Sequence, residues 1–251
     1  MKSSKSEVLL TLNWSSSLKD WSTHLKPLLE KYRGRKHPLE YHNHYQLVCM
    51  VILAAQDSDR HINAIAPAFF QRFPTLADLS RAQPEELYPY LDTVRSFRKK
   101  SNWLVQIARQ VQDERRIPKT LDGLTGLSGI GRKSANVILR EMGQPAEGII
   151  VDLHVIRVAP RIGIAKGTNA ERLEKQLMEV IPREDWHDAG MAFSFLGREI
   201  CRPTNPKCDE CVLPKVCEYY QTVVRKKRIT TRMKNDVKAA KKVGRKKSAG
   251  R

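Results

Sequence analysis

The chain has 251 residues, 41% of them hydrophobic and 7% aromatic, and carries a formal charge of +18. That length allows one or two domains with a real core, and the basic excess points to a polyanion as partner. No stretch of about 18 apolar residues occurs, and no apolar run follows the N-terminal charges, so neither a membrane span nor a secretory signal is expected.

Residues 1–17 are polar and serine-rich and read as a flexible arm. From Leu18 to Tyr32, apolar residues recur at steps of three and four, the mark of one helical face, with Pro27 set to kink or split it. Arg33 to Asn43 reads as a basic loop. Tyr45 to Gln56 is apolar almost throughout, which predicts a buried helix ending abruptly in Gln56-Asp57-Ser58-Asp59. Asp57 or Ser58 is suited to cap the next helix, to about Phe73. Cys49 lies inside the apolar run and reads as a core thiol.

Pro74-Thr75 and Gln83-Pro84-Glu85-Glu86 have the form of helix starts, and Ser96 to Asp113 is amphipathic. Leu121, Leu124 and Leu127 lead into Ser128-Gly129-Ile130-Gly131-Arg132-Lys133. Two glycines one residue apart permit positive φ and close approach, and the helix that follows offers unpaired amides to an anion. Helical patterns then run from Lys133 to Met142, Val151 to Ile162, Ala170 to Val180 and Trp186 to Ile200. With no alternating β run, the body is all-α, about ten helices. Residues 222–251 hold thirteen Lys and Arg against one acid, Asp236, and read as a basic, disordered tail.

Four cysteines occur as Cys201-x6-Cys208-x2-Cys211-x5-Cys217, a density that in a reducing compartment points to a metal. Zinc and an iron–sulfur cluster are both compatible, the single close pair tilting towards a loop around a larger cluster. Lys133 sits at a helix N-terminus, where Arg132 and the helix dipole are expected to lower its amine pKa. Asp152 follows the apolar run Ile149-Ile150-Val151. It suits a helix N-cap, and equally a carboxylate partner that supports a developing sugar cation and moves protons. An amine, a carboxylate, an anion-binding turn and a basic body together make a site for cleaving a base from a DNA sugar.

These residues resemble the endonuclease III group of DNA glycosylases. Leu127 to Lys133 is similar to that group's helix–hairpin–helix, Asp152 falls at its catalytic aspartate, and the x6, x2, x5 spacing is that of its [4Fe-4S] loop. The resemblance runs from about Leu18 to Tyr219. It implies two helical subdomains with a DNA cleft between them: a six-helix barrel with the hairpin, residues 38–146, and a discontinuous cluster subdomain, residues 18–37 plus 147–221.

The resemblance further implies a base-excision-repair glycosylase for oxidised pyrimidines that is also an AP lyase. Lys133 would form a Schiff base at the sugar C1′, and Asp152 would assist base loss. Gln56 would fill the gap left by the flipped base, and Leu127, Gly129, Gly131, Arg132 and His154 would contact DNA. Cys201, Cys208, Cys211 and Cys217 would hold a structural [4Fe-4S] cluster that presents a basic loop, Arg198 to Lys207. The implied partner is double-stranded DNA with damaged or abasic sites, met by a monomer in a bacterial nucleoid. Lys226-Lys227-Arg228 also has the form of a nuclear import signal.

Three positions depart from the family pattern: Leu153 where a polar residue is usual, Arg95 in place of a glycine, and Ser96 in place of an apolar wedge. They leave the lyase chemistry intact and bear on lesion preference. The alternatives are a mismatch glycosylase without lyase action, which a lysine at 133 argues against, and a non-catalytic binder of damaged DNA.

Overall fold

Pro27 divides the first predicted helix in two. The structure, a computed structural model, describes residues 20–227 and 229–231. Within them α1 spans Trp21–His24 and α2 spans Lys26–Tyr32, with Pro27 in the first turn of α2, where its missing N–H costs nothing. The arm at 1–17 and the tail beyond 231 lie outside the described residues.

The buried helix is α3, His44–Leu53. Every residue from Leu47 to Leu53 is buried, and Asn43 caps its start by accepting from the Gln46 amide. Fully burying one such side chain contributes roughly 1.5–3 kcal/mol, so α3 anchors the surrounding layer. Short polar caps start the helices that follow. Ser58 caps α4 (Asp59–Arg72), and Thr75 caps α5 (Leu76–Arg81). The proline at 84 opens a 3₁₀ turn that runs into α6 (Tyr88–Leu91), and α7 spans Phe97–Val111. Thr120 caps α8 (Leu121–Thr125), and α9 spans Arg132–Glu141. Then come α10 (Leu153–Ile162), α11 (Ala170–Val180) and α12 (Trp186–Glu199). There are twelve α-helices and no strand among the described residues.

The helices pack in two groups. In the first, α3 lies against α4, α7 and α9, while α5 packs on α7 and α8 on α9. In the second, α12 lies between α2 and α10, with α11 on α10 and α1 on α2. Close approach in the second group depends on glycine. A Cβ on Gly197 would stand 2.7 Å from His154 Cβ, and one on Gly190 would stand 2.7 Å from the Ile150 amide. Gly190, Ser194 and Gly197 thus form a small-residue face on α12 that lets the start of α10 settle against it.

One expectation needs correction. The chain does not lose order at residue 222: a π-helical segment, Tyr220–Val224, continues as helix to residue 227, and residues 229–231 are helical as well. Loss of apolar periodicity marks loss of a buried face, not loss of helix. Local pairs such as Thr222 Oγ1 to the Glu218 carbonyl, 2.7 Å, and Arg225 to Gln221, 3.1 Å, support the extension.

Candidate active site

The two groups leave a cleft of about 960 Å³ between them. Its lining comes from six places far apart in sequence: His37 and Leu39, the α3–α4 turn from Ala54 to Asp59, Arg95, the first turn of α9, the start of α10, and Arg198 of α12. Lys133 and Asp152 both open into it.

Lys133 sits in the first turn of α9 behind Gly131, which provides no capping side chain. Lys133 is exposed and its side chain lines the cleft. Partial desolvation by the cleft walls holds its amine below the ordinary lysine value. Asp152 and Asp59 pull the other way, and Arg198 pushes further down. The expected cause was therefore misplaced. Arg132 points away and is bonded to Glu174 through Nε at 2.9 Å and Nη2 at 3.1 Å.

Arg132 thus has a structural partner. Glu174, on α11, is buried and also accepts from Asn136 Nδ2 at 3.1 Å. Gly148 closes over this network, where a Cβ would come within 2.7 Å of Asn136 Nδ2. Next to it, Glu147 accepts from the Leu121 amide at 3.0 Å and starts α8. The segment at 146–148 is therefore a clamp between the hairpin and α11.

Asp152 combines a helix cap with a place on the cleft wall. It is the N-cap of α10, with Oδ1 accepting from the His154 and Val155 amides at 2.9 Å each, and it is half-buried on the cleft wall. Its other oxygen accepts from Ser194 at 2.6 Å. His154 lines the cleft and sits 3.2 Å from Arg157 Nη2; burial holds its imidazole below the ordinary value. Leu153, between them, is 79% exposed at the cleft.

Of the hairpin glycines only Gly129 takes positive φ, Gly131 being extended with open space at its Cβ position, and Leu127 is not a surface contact. Its side chain is buried, and its amide bonds to the Leu124 carbonyl at 3.1 Å. Leucine repeating at 121, 124 and 127 is a core pattern, and that role won. Gly129 has φ +80°, and a Cβ there would lie 2.6 Å from the Trp103 ring, so α7 supports the turn from below.

Gln56 is exposed, lines the cleft and holds φ +60°, a left-handed conformation rare outside glycine. Lys100 supports this turn: buried, it donates to the Leu53 carbonyl at 2.8 Å and the Ala55 carbonyl at 2.7 Å. Ser96 is also left-handed, at φ +59°, and the Arg95 amide reaches Asp57 at 3.4 Å. His61 bridges Asp57, 2.8 Å, and Thr93, 3.0 Å, which joins the two turns. Sequence reading missed Lys100, His61 and the pair Arg198–Asp59, whose 2.7 Å contact spans the cleft wall. Arg198 belongs to α12 and the cleft, not to the basic loop assigned to it. No local signal links residues 139 positions apart.

The four clustered cysteines line one apolar cavity with Ile162, Leu196 and Ile200. Arg161 Nη1 lies 3.7 Å from Cys201 Sγ, and the Leu213 amide donates to Cys211 Sγ at 3.4 Å. Thiols converging on one greasy pocket with donors aimed at sulfur are a donor set that fits an iron–sulfur cluster. Among the described residues, no three His, Cys, Asp or Glu side chains surround a single metal-ion position. One face of α10 connects this pocket to the cleft: Arg157 donates to the Cys201 and Gly197 carbonyls, 3.0 and 2.9 Å, one turn from His154.

Comparison with known proteins gives the class first. The profile of the HhH-GPD superfamily of base excision DNA repair proteins matches residues 49–183. Endonuclease III of Synechocystis sp. is 33% identical over 205 residues, covering 80% of this chain and 94% of that protein. The Bacillus subtilis endonuclease III is 33% identical over 71% of this chain and 83% of its own length. A trapped endonuclease III–DNA covalent intermediate aligns with TM-score 0.72 at 28% identity, over 79% of this chain and 94% of that one. A non-covalent endonuclease III–DNA complex gives TM-score 0.72 at 29% identity, over 80% and 95%. The chain belongs to the endonuclease III family, DNA glycosylases of base excision repair.

Proposed function

We propose that this glycosylase removes oxidised pyrimidines from double-stranded DNA and cleaves the resulting abasic site through a Schiff base on Lys133. The observation that carries the reading is the shared cleft of Lys133 and Asp152, with the lysine amine held below its ordinary value by its surroundings. The base leaves the duplex and enters the cleft, since chemistry at a stacked base is sterically closed. Neutral Nζ bonds to C1′ as the bond to the base breaks, and the base departs with a proton. Nζ then gives up a proton, the C1′–O4′ bond opens with a proton going to O4′, and an imine forms. Loss of a C2′ proton expels the 3′ phosphate, and water releases the lysine.

Asp152 faces the sugar as it gains positive charge and carries protons between these steps. Its fixed hydrogen bonds to two amides and Ser194 hold it in place for that role. Gln56 takes the space of the extruded nucleotide. The amides at Gly129, Gly131 and the start of α9 hold a phosphate, as a helix N-terminus does. His154 extends that contact surface.

Cys201, Cys208, Cys211 and Cys217 would ligate a [4Fe-4S] cluster, which supplies structural cross-linking of the loop. Cys217→Ser is expected to yield protein without the brown colour of the parent. The subdomains divide at 37/38 and 146/147, and the basic tail adds salt-dependent affinity for any duplex. The enzyme acts as a monomer in the bacterial cytoplasm; the helices of the described residues include none long and apolar enough to cross a membrane.

Borohydride trapping on a duplex with one abasic site tests the reading. The parent should give a covalent adduct, and Lys133→Ala none, while still binding the duplex. An adduct of equal yield from Lys133→Ala would refute the assignment.

A further inference from the structure

Of the buried polar side chains, His37 alone among the described residues lines the cleft. It is 9% exposed and comes from the basic loop before α3, a segment to which the reaction above gives no part. Its Nδ1 accepts the Leu39 amide at 3.2 Å. An acceptor nitrogen carries no proton, so the ring proton of the neutral imidazole is on Nε2.

Nε2 has no hydrogen-bond partner among the described residues and is not sealed from solvent, so its N–H faces the cleft the residue lines. Protonating the ring would set an Nδ1–H against the Leu39 N–H. Burial opposes the charge most; Asp59 and Glu141 favour it, and Lys133 and Arg198 oppose it. The net result is a ring held neutral, its pKa lowered to about 4. At neutral pH the cleft wall therefore presents a donor that cannot become an acceptor by changing tautomer without losing the Leu39 bond.

The carboxylates on that wall are engaged elsewhere, and the exposed Arg95 guanidinium stands on the solvent side of the α3–α4 turn. Asp59 is bonded to Arg198, Asp57 to His61, and Asp152 to Ser194 and two amides. Lys133 must stay free to attack. A base attached to the C1′ that Lys133 attacks lies within this same cleft, and its edge meets the wall. We propose that His37 Nε2–H is a specificity-determining donor that reads a ring carbonyl of the extruded base and rejects an amino group in its place. The inference rests on the glycosylase reading. A donor facing an amine leaves both groups unpaired in a confined site, which is how a polar pocket discriminates.

The experiment compares duplexes carrying 5-hydroxyuracil or 5-hydroxycytosine, which carry oxygen or amine at position 4, with N3 protonated only in the uracil. Single-turnover excision is measured for the parent, His37→Phe and His37→Asn, each rate divided by the same protein's cleavage of an abasic site. The parent should prefer the carbonyl base by about tenfold, the size of one net hydrogen bond. His37→Phe keeps the ring's bulk without the donor and should lose the preference. His37→Asn has an oxygen for the Leu39 amide and an NH₂ for the base, and should retain part of it.

Equal normalised rates for the two bases in the parent would overturn the proposal even if His37→Phe failed to fold. So would a preference that survives in His37→Phe. A parent that cleaves no abasic DNA would refute the glycosylase–lyase reading itself, an outcome distinct from lost base preference.

Discussion

Ser194 Oγ donates to Asp152 Oδ2 at 2.6 Å, joining the middle of α12 to the cap of α10 across 42 positions in sequence. The contact exists because Gly190 and Gly197, on either side of Ser194, let the two elements approach. Ser194 is buried, so its hydroxyl has little else to bond. Ser194→Ala should slow base excision about fivefold to tenfold, the size of one net hydrogen bond, while duplex affinity changes little. Single-turnover rates check this; an unchanged rate would mean the two amides suffice to hold Asp152.

The pH dependence of imine formation should report Lys133. The neutral amine is the reactive form, so trapping should rise with pH and level off below the ordinary lysine value of 10.5. Arg198→Ala removes a positive charge and releases Asp59, and both changes let the amine hold its proton more tightly. The ascending limb should therefore move to higher pH, with trapping at pH 7 falling severalfold. A limb that stays in place would show that desolvation alone sets the amine.

The same amine bears on stability. The folded state disfavours a proton that the unfolded chain binds, so below 10.5 Lys133 opposes folding, and stability from this group rises with pH. Lys133→Met removes that opposition. Its Tm at pH 7 should exceed the parent's by roughly 1–4 °C, as measured by thermal unfolding.

His37 predicts loss of stability in acid. The unfolded ring takes up a proton near 6.5, the folded ring only near 4. Its contribution is complete above pH 6.5 and is lost as pH falls to 4, by up to about 3 kcal/mol. His154 and His187 are shifted in the same direction by burial and add to the slope. His37→Asn does not titrate there, so its denaturant midpoint should vary less between pH 7 and 4.5 than the parent's.

Arg132 should matter for stability more than for DNA. Arg132→Ala leaves the Glu174 carboxylate buried with Asn136 as its remaining side-chain donor. Complete loss of a buried pair costs about 3–5 kcal/mol; with the arginine side chain 43% exposed, about 1–3 kcal/mol is expected. Gly148→Ala should act alike by pushing a methyl into the same network. Urea unfolding measures both. Duplex affinity of folded Arg132→Ala should stay within about threefold of the parent, against the larger loss a phosphate-holding arginine would give.

Helix positions were legible in the sequence because they depend on short-range chemistry. Apolar residues three and four apart marked α7, α10 and α11, Asp57 or Ser58 announced the cap of α4, and Pro74-Thr75 announced the start of α5. Lys133 and Asp152 were legible for a related reason: each lies beside a local signal, a glycine turn or an apolar run, and their spacing resembles a known family. What stayed hidden was direction. Arg132 adjoins Lys133 in the chain, yet its guanidinium turns to Glu174, 42 residues on, because a buried carboxylate needs a partner. Leu127 reads as part of a DNA-facing turn, but its side chain fills the core beneath it. Asp59, Ser194 and Arg198 carry no local mark of a site. Only the docking of α12 against α10 and the α3–α4 turn brings them around the cleft. Residue order was enough for the helices and for picking out Lys133; the tertiary structure decided which charges face its amine and which are tied elsewhere. Pairing of buried polar groups depends on distance in space, which the order of residues does not contain.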